Sequence, residues 1–594
     1  VIVLLKNKTM TISWSWVPGM QLSVHIDRVA ILLISLVTLV SSLVYIFSLK
    51  YMENDEGVYR YFAKLGLFVS SMIGLLIADH LILLFVFWEL VGISSYLLIG
   101  FWYSKEGIRS SARMSFMVNR VADACLLAGI LLLFKQTGEL SFVKMEKTTM
   151  FLPSLLITIG AFGKSAQLPF SGWLIKAMVG PTPVSALIHA ATMVAAGVYL
   201  LFRFSPLIHP NALIIIAVVG TVTALYGGIC ALNQFDIKKI LAYSTISQLG
   251  YMMIGIGVGS RDAALFHLIT HAFFKAGLFL AAASTINYLH KLSDEDAQDM
   301  RSMGGLREKL PWTFRSFLFC GFALAGVPLF SGFLSKDAII IAAWTWASEL
   351  GSWAYIIPDL ALLTALLTAF YFGRATLLVF FGVPRVVLKP ISYNESKFFI
   401  LPLIILSILS SWFLFNLNPV GHESWLIAYW SILKDETSSL IVNLTLILSV
   451  ILVSTGFVMS YAFFKLGTNY NVSFQKLEEP TAIMGKSIFH GFYLTQSYLS
   501  IGNMSYSLAK NIHRIDKSLI NPFLNLIAVG SVVLSKVLAL IDRFLVDGPV
   551  NWTASLSAFL GKRLAGLSAR DLQTQLLWLL LIVTLILAIF ISLS

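Results

Sequence analysis

Residues 170–176 read FSGWLIK and residues 330–336 read FSGFLSK, so one seven-residue pattern recurs after 160 positions (330 minus 170). Pro169 directly precedes the first copy, and Pro328 lies two residues before the second. Proline-interrupted helices with ion sites at the interruption are typical of membrane proteins built from repeats. A chance resemblance at a helix end is the alternative.

Composition places the whole chain in a lipid bilayer. Of 594 residues, 58% are hydrophobic and only 12% are charged, and the mean hydropathy is +0.83. Soluble globular domains do not reach such values. Segments long and apolar enough to cross ~30 Å of hydrocarbon as helices are predicted at 29–49, 62–79, 82–102, 112–134, 151–170, 183–204, 211–232, 239–258, 262–285, 313–345, 357–381, 398–416, 438–465 and 575–594.

The repeat and the spans together predict an all-α polytopic membrane protein. Five spans separate equivalent points of the two copies, and an odd number inverts the second copy relative to the first. We therefore expect two inverted five-helix repeats with discontinuous helices. The expected parts are an N-terminal segment with the first transmembrane helix (1–61), the first repeat (62–204), the second repeat (211–381), additional transmembrane helices (382–479), a long lateral amphipathic helix (480–572) and a C-terminal transmembrane anchor (575–594).

The net charge of +12 does not indicate a nucleic-acid partner. Lys and Arg lie at the ends of loops and not on one solvated face. The loops on one predicted side of the membrane carry most of them, which places that side in the cytoplasm or its organelle equivalent. Both chain ends then lie outside, and membrane lipid is the expected surrounding.

The chain shows no cofactor or metal site of recognisable spacing. Cys125, Cys230 and Cys320 are scattered singly, without a CxxC motif or a Cys/His cluster. The glycines of GIGVGS, residues 255–260, lack the strand-turn-helix context of a nucleotide loop and favour helix packing or a helix end. Any redox chemistry must therefore belong to a partner.

Protonatable residues recur inside the predicted spans. His267, His271 and Lys275 follow one another at four-residue spacing, so they share one helix face. Ionisable residues within membrane segments are costly, face polar interiors and usually mark ion or proton pathways. The alternative is two hydrogen-bonded core histidines and a lysine that reaches the interface.

Further charged groups fall in or near the two repeats. Glu89 has apolar neighbours on both sides, and Lys164 lies among small residues, so the two could pair. Asp123 follows Arg120 by three residues and could pair with it, unless Arg120 is a helix-end charge. The remaining candidates are His189, Lys238, which could equally be a loop charge, and Lys336 with Asp337, which are expected to end the second broken helix.

Several segments resemble one known family. WELVGISSYLLIGFW (88–102), GKSAQLPF (163–170), DIKKILAYSTISQLGYM (236–252), FHLITHAFFKAGLFL (266–280) and AGVPLFSGFLSKD (325–337) are similar to the antiporter-like subunit L (chain 5) family of respiratory complex I, the proton-pumping NADH:quinone oxidoreductase. Single segments would also fit Mrp-type cation/proton antiporters or membrane-bound hydrogenases. The C-terminal IDRFLVDGPVN and LQTQLLWLLL resemble the stretch that leads into the last anchoring helix of subunit L.

The resemblance implies a function and a set of residues. It implies proton translocation in an inner membrane, bacterial or organellar, as a subunit of a translocase. It also implies other membrane-arm subunits as partners, contacted through the lateral helix. NADH, FMN, iron-sulfur clusters and quinone would belong to partner subunits, with none in this chain. The implied translocation residues are Glu89 and Lys164 as an ion-paired switch supported by Asp123, then His189, Lys238, His267, His271, Lys275, and Lys336 with Asp337.

Two features depart from that family. The chain opens with Val1 and reaches its first clear span near residue 29, whereas the family usually has two further helices, so we expect the start to be missing or misassigned. The family commonly has WLPDAMEGPTP where this chain has WLIKAMVGPTP, with Lys176 and Val179 replacing acidic residues. The repeat alignment pairs Lys176, and not Lys164, with Lys336, which leaves open which lysine is the structural counterpart.

Overall fold

A computed structural model describes residues 9–17, 20–145, 150–292, 297–382, 393–418, 424–425, 439–465, 483–567 and 572–593. Most of them are helical. The helices are α1 Arg28–Tyr51, α2 Val58–Ile77, α3 Leu81–Ile99, α4 Ile108–Thr137, α5 Phe151–Lys164, α6 Gly172–Lys176, α7 Thr182–Ala190, α8 Met193–Phe204, α9 Pro210–Asn233, α10 Ile237–Gly257, α11 Arg261–Leu292, α12 Pro311–Ala325, α13 Ser331–Leu350, α14 Ile356–Phe380, α15 Lys397–Leu409, α16 Ser439–Lys465, α17 Ile483–Phe489, α18 Leu494–Ile515, α19 Asn521–Ile541, α20 Asp547–Leu567 and α21 Leu572–Leu593.

Twelve candidate membrane spans in the described residues confirm a multi-pass membrane protein. The predicted span 313–345 is two helices, α12 and α13, and the predicted span 183–204 is likewise divided into α7 and α8. Of the predicted region 382–479, helices α15 and α16 are described. Residues 383–392, 419–423, 426–438 and 466–482 lie outside the described residues, as do 1–8 of the N-terminal segment and 568–571 at the end of the lateral segment.

A short antiparallel hairpin precedes the helices and departs from the all-α expectation. Strands β1 (Met10–Val17) and β2 (Met20–Ile26) pair with Thr11 opposite His25. Polar and apolar residues alternate in TISWSW, which is the period of a strand. The run is much shorter than the ~20 residues of a membrane-spanning helix, so the pattern of predicted spans does not include it. The hairpin leads directly into α1.

Asp27 joins the hairpin end to α1 and to a distant helix. Its Oδ1 accepts the N–H of Ala30 at 2.8 Å, which caps α1. The same carboxylate receives two hydrogen bonds from Arg203 on α8, at 2.5 and 2.7 Å. Burial raises the pKa of Asp27, but the hydrogen bonds and the charge of Arg203 outweigh burial and hold the pKa below its usual value.

The helix pair α5–α6 is interrupted by a specific backbone motif. The N–H of Ala166 donates to Gly163 O at 3.2 Å, and the N–H of Gln167 donates to Phe162 O at 2.9 Å. Ala166 has a left-handed backbone, with φ of 50°. These are the two hydrogen bonds of a Schellman C-cap, which ends α5 at Lys164.

The helix pair α12–α13 carries the same motif 160 positions later. The N–H of Gly326, with φ of 83°, donates to Ala323 O at 3.2 Å, and the N–H of Val327 donates to Phe322 O at 3.0 Å. Each of these four residues is the counterpart, 160 positions on, of the corresponding residue at the first break. The short sequence repeat therefore corresponds to an equivalent break in the backbone, while the inverted orientation of the two repeats stays a prediction.

Helices α9 and α10 pack with backbones close together. A Cβ atom added at Gly250 would lie 2.6 Å from both Ala224 N and Gly220 O, so only glycine permits this approach. Small residues serve the same purpose at helix interfaces in membranes. Helices α10 and α11 are buried over their most apolar stretches and form the centre of the unit Val1–Tyr498.

The second compact unit, Leu499–Ser594, is also helical. Its side chains are almost all exposed within the chain, including large apolar ones such as Phe523, Trp552 and Phe590. The DGP sequence, residues 547–549, opens α20 after a π-helical turn, Asp542–Val546, and does not end the helix. Pro549 thus lies inside the continuous helix Leu494–Gly566, and the π-helical turn just before it is a local adjustment of the kind that accommodates a proline without an N–H.

Candidate functional site

Four charged side chains from the three helices α3, α4 and α5 meet inside the protein. Arg120 contacts the carboxylate of Glu89, and its Nη2 lies 3.2 Å from Asp123 Oδ2. Lys164 Nζ lies 3.5 Å from the same Asp123 oxygen. Glu89 lies on α3, Arg120 and Asp123 on α4, and Lys164 ends α5.

This arrangement corrects the predicted partners within the cluster. Arg120 is not a helix-end charge, because it lies near the middle of α4. In the described residues no ion pair within 4.0 Å joins Glu89 to Lys164 directly. Asp123 and Arg120 stand between them, since residues three apart on α4 share one face.

Trp88 and Gly92 shape the surroundings of Lys164. The indole N–H of Trp88 donates to Asp123 Oδ1 at 2.6 Å and fixes the carboxylate. A Cβ atom at Gly92 would lie 2.7 Å from Arg120 Nη2 and 2.9 Å from Lys164 Nζ, so the absence of a side chain there admits both cations. The side chain of Lys164 is 0% exposed. A charge this deep requires its partner.

His189 and Lys238 lie between the two breaks in sequence and are both buried. Lys238 is not a loop charge: it is in the first turn of α10, and its Nζ donates to Gly180 O at 2.8 Å. His189 on α7 packs its ring against Phe279 of α11, with 4.7 Å between centroids. Neither ring nitrogen of His189 makes a hydrogen bond of normal geometry with the described residues.

The histidine and lysine face of α11 turns into the protein. His267, His271 and Lys275 are all 0% exposed within the chain. Lys275 lies near the middle of the helix, and its Nζ donates to Ser244 Oγ at 2.6 Å and to Leu241 O at 3.3 Å. Two oxygens of α10 are therefore the hydrogen-bond partners of its ammonium group in the described residues.

His267 links three helices through its two ring nitrogens. Nε2 lies 3.1 Å from Gln248 Oε1 on α10, and Nδ1 lies 2.9 Å from Ser335 Oγ on α13. Ser335 Oγ also lies 2.7 Å from Thr270 Oγ1. Because imidazole can give a proton at one nitrogen and take one at the other, this arrangement joins α10 to α13 by proton donors and acceptors.

Lys336 and Asp337 follow Ser335 directly. They do not end the broken helix as expected, since they lie in the second turn of α13, beyond the break. Lys336 Nζ donates to Leu324 O at 2.9 Å and Ala325 O at 3.2 Å, at the end of α12. Asp337 Oδ2 accepts from Ser449 Oγ of α16 at 2.8 Å.

The predicted site residues therefore form two clusters with His189 and Lys238 between them in sequence. Sequence reasoning missed Trp88, Ser244, Gln248, Ser335 and Ser449. The spacing of Ser244, Gln248 and Tyr251, which places them on one face of α10, was a readable signal. The serines on α13 and α16 gave none. The described residues contain no group of three or more His, Cys, Asp and Glu arranged for a metal ion.

The fold and these clusters define an antiporter-like membrane protein: a helical bundle broken twice in the same way, with charged groups in its interior. Residues 78–360 match the family model for the NADH:quinone oxidoreductase/Mrp antiporter transmembrane region. Residues 16–62 match the model for the N-terminus of chain 5 of NADH-ubiquinone oxidoreductase (complex I).

The chain belongs to the family of NADH-quinone oxidoreductase subunit L and its subunit 5 counterparts. It is 37% identical over 573 residues to the chloroplastic NAD(P)H-quinone oxidoreductase subunit 5 of Chara vulgaris, covering 91% of this chain and 81% of the relative. It is 45% identical over 387 residues to NADH-quinone oxidoreductase subunit L of Mycobacterium tuberculosis, covering 63% of this chain and 60% of the relative.

A solved structure shares the fold. A chain in the structure of the Mrp complex from Dietzia sp. DQ12-45-1b superposes with a TM-score of 0.69 at 25% identity, covering 90% of this chain and 59% of that one. The chain thus spans three fifths of the length of two of these three similar proteins and four fifths of the third.

Proposed function

We propose that this chain translocates protons across the membrane as a subunit of a proton-pumping NADH:quinone oxidoreductase. The observation that carries the proposal is the series of ionisable residues inside the bundle, from the half-buried Glu89 and the buried Asp123 at one end to the buried Lys336 and Asp337 at the other. Buried charges of this kind are retained in membranes where they serve ion or proton pathways.

The first cluster has the properties of a switch. Asp123 is shared by two cations, Arg120 at 3.2 Å and Lys164 at 3.5 Å. Among the described residues one carboxylate serves both cations, because the second carboxylate, Glu89, contacts Arg120 and not Lys164. A proton gained or lost on Lys164 would therefore change how strongly Asp123 holds Arg120, and through Arg120 how strongly it holds Glu89.

The second cluster has the properties of a relay. Lys275 has Ser244 as its partner, and His267 connects Gln248 to Ser335, which adjoins Lys336. Successive groups at four-residue spacing on a helix lie about 6 Å apart, so direct transfer between them requires bridging hydroxyls or water. The Ser244 hydroxyl contacts Lys275, and the Ser335 hydroxyl contacts His267 and Thr270. Neither hydroxyl reaches His271 in the described residues, so transfer past His271 requires water.

The energy and the redox chemistry come from elsewhere in the proposed assembly. NADH, FMN, iron-sulfur clusters and quinone would be held by partner subunits, and this chain would act as part of an H+-translocating oxidoreductase. Moving one charge against 100 mV costs ~2.3 kcal/mol. The partners are the other membrane-arm subunits.

The long C-terminal helix supports that assembly. Residues Leu494–Gly566 form 73 helical residues, about 110 Å at ~1.5 Å per residue. A straight helix of that length cannot be a single crossing of ~30 Å of hydrocarbon. Exposed apolar residues along it need covering, so we assign it a lateral position along sister subunits, with α21 as the anchor.

A cation/proton antiporter subunit is the second candidate, because the Mrp complex of Dietzia shares the fold over 90% of this chain. One experiment separates the two. The assembled complex is reconstituted in vesicles and given NADH and quinone, and internal acidification is followed with a pH-sensitive dye. The proposal is supported if Glu89→Gln abolishes this acidification while NADH oxidation and assembly of the complex are retained. Acidification driven only by a Na+ gradient supports the antiporter.

A further inference from the structure

The end of α12 presents two backbone carbonyls without a backbone partner. The Schellman motif serves Phe322 O and Ala323 O. Leu324 O would take the N–H four residues on, but that residue is Pro328, which has none. In the described part of the chain no backbone N–H donates to Leu324 O or to Ala325 O. The break thus leaves two oxygens aimed into a buried space.

A cation fills that space. Lys336 Nζ lies 2.9 Å from Leu324 O and 3.2 Å from Ala325 O. It also lies 5.4 Å from the ring centroid of Tyr251, in cation–π range. The carbonyl end of a helix carries partial negative charge, which adds to the attraction. The residue is 2% exposed, so the ammonium is enclosed.

At the equivalent place in the first break, no lysine of the described residues takes the position of Lys336. There Ser165 O, the counterpart of Ala325 O, accepts the side-chain amide of Gln167 at 2.9 Å. Lys176, the counterpart of Lys336 by the sequence repeat, is half-buried at the end of the short helix α6. The same backbone motif is therefore closed by a neutral amide in one repeat and by a positive charge in the other.

We propose that the break between α12 and α13 is a monovalent-cation site, that the Lys336 ammonium is its resident cation, and that Lys336 thereby excludes alkali-metal ions. Carbonyl and carboxylate oxygens are the ligands that hard cations such as Na+ take, and carbonyls of interrupted helices hold Na+ in transporters. Leu324 O and Ala325 O are such ligands. The consequence for transport, selectivity for protons, rests on the proposed function; the cation site itself does not.

The test removes the tethered cation and offers free ones. Thermal unfolding of the purified complex is measured for the unmodified protein, Lys336→Ala and Lys336→Met, in chlorides of Na+, K+, methylammonium or choline at equal ionic strength. We expect a small cation to raise the midpoint of Lys336→Ala by about 2 °C or more over choline. The unmodified protein and Lys336→Met, whose side chain fills the space without charge, should show no difference. An equal response of Lys336→Ala to all four salts overturns the proposal.

Assembly provides a second readout if Lys336→Ala does not yield an intact complex. Cells that express this variant are grown with methylammonium or with choline chloride, and the intact complex is quantified on native gels. Recovery to at least half of the unmodified level with methylammonium alone supports the site. No recovery, while Lys336→Met assembles, overturns it. Both readouts are independent of proton pumping, so they stand or fall separately from the proposed function.

Discussion

Lys164 contacts the carboxylate of Asp123, with 3.5 Å between Nζ and Oδ2, whereas the carboxylate of Glu89 contacts Arg120. Asp123 is therefore the residue on which both cations of the cluster depend. It is 2% exposed, and Trp88 fixes it by a further hydrogen bond. A carboxylate that the family resemblance gives a supporting role is thus at the centre of the cluster.

Asp123→Asn should impair proton pumping at least as strongly as Glu89→Gln. Removing one member of a buried charge group leaves its partners uncompensated, at about 3–5 kcal/mol. Lys164 would then lose its only carboxylate within 4.0 Å in the described residues. Dye acidification in vesicles, normalised to NADH oxidation, measures the effect. Glu53→Gln, at an exposed pair with Lys50, is the control. Pumping by Asp123→Asn above half of the unmodified rate would contradict this assignment.

The difference between sequence and structure at this cluster has a physical cause. The i, i+3 spacing showed that Arg120 and Asp123 could meet, because both lie on one helix. The sequence could not show which carboxylate Lys164 would contact, since that depends on how α3, α4 and α5 pack. Gly92 permits the approach of both cations, but a lone glycine in a membrane helix has many possible reasons.

Other parts of the fold could be predicted from the sequence to different degrees. The break at Pro328 was predictable, because proline removes a helix hydrogen bond. The position of Lys336 beyond the break was not, because the Schellman motif ends α12 at Ala325, several residues before the repeated pattern. The shared face of Ser244, Gln248 and Tyr251 on α10 could have been predicted from their spacing. Ser335 and Ser449 are ordinary helix residues in sequence and gain significance only from their neighbours.

Gln248 should act as a positioning residue for His267. Its Oε1 lies 3.1 Å from Nε2 of the imidazole and defines which nitrogen bears the proton. Gln248→Met keeps the side-chain volume and removes the hydrogen bond to His267. A hydrogen bond of this kind contributes ~1 kcal/mol, which corresponds to about a fivefold change in the rate of proton pumping. We expect pumping to fall by that order and its pH profile to shift, with assembly retained. Met252→Leu on the same helix is the control. An unchanged pH profile in Gln248→Met would leave His267 without this role.

Two glycine substitutions should separate function from folding. Gly92→Ala places a methyl against the tips of Arg120 and Lys164, which can move aside. Gly250→Ala places a methyl against the backbone of α9, which cannot move aside. We expect this substitution to lower the free energy of unfolding by about 1–3 kcal/mol. We expect Gly92→Ala to assemble normally and pump poorly, and Gly250→Ala to lower the thermal midpoint. The reverse pattern in melting and pumping assays would count against the packing described here.

The pair of Asp27 and Arg203 should stabilise the fold except in acid. The pKa of Asp27 lies below its usual 3.8 in the folded protein, so its contribution is complete above that value and is lost as the pH falls further. Asp27→Asn should cost about 1–2 kcal/mol near pH 7. The difference from the unmodified protein should shrink below about pH 4, measured by thermal unfolding in detergent. A difference that grows in acid would show the opposite sign of coupling.

The measurement that tests the account most directly is proton translocation by Lys275→Met. Lys275 lies at the middle of α11, fully buried, with Ser244 and Leu241 O as partners, and methionine keeps its length without its charge. Lys291→Met, at the exposed end of the same helix, is the matched control. Protons moved per NADH oxidised are measured in vesicles for both variants. We predict that Lys275→Met lowers the number of protons moved per NADH about tenfold, and that Lys291→Met leaves it unchanged. An unchanged number for Lys275→Met in an intact complex would contradict the account.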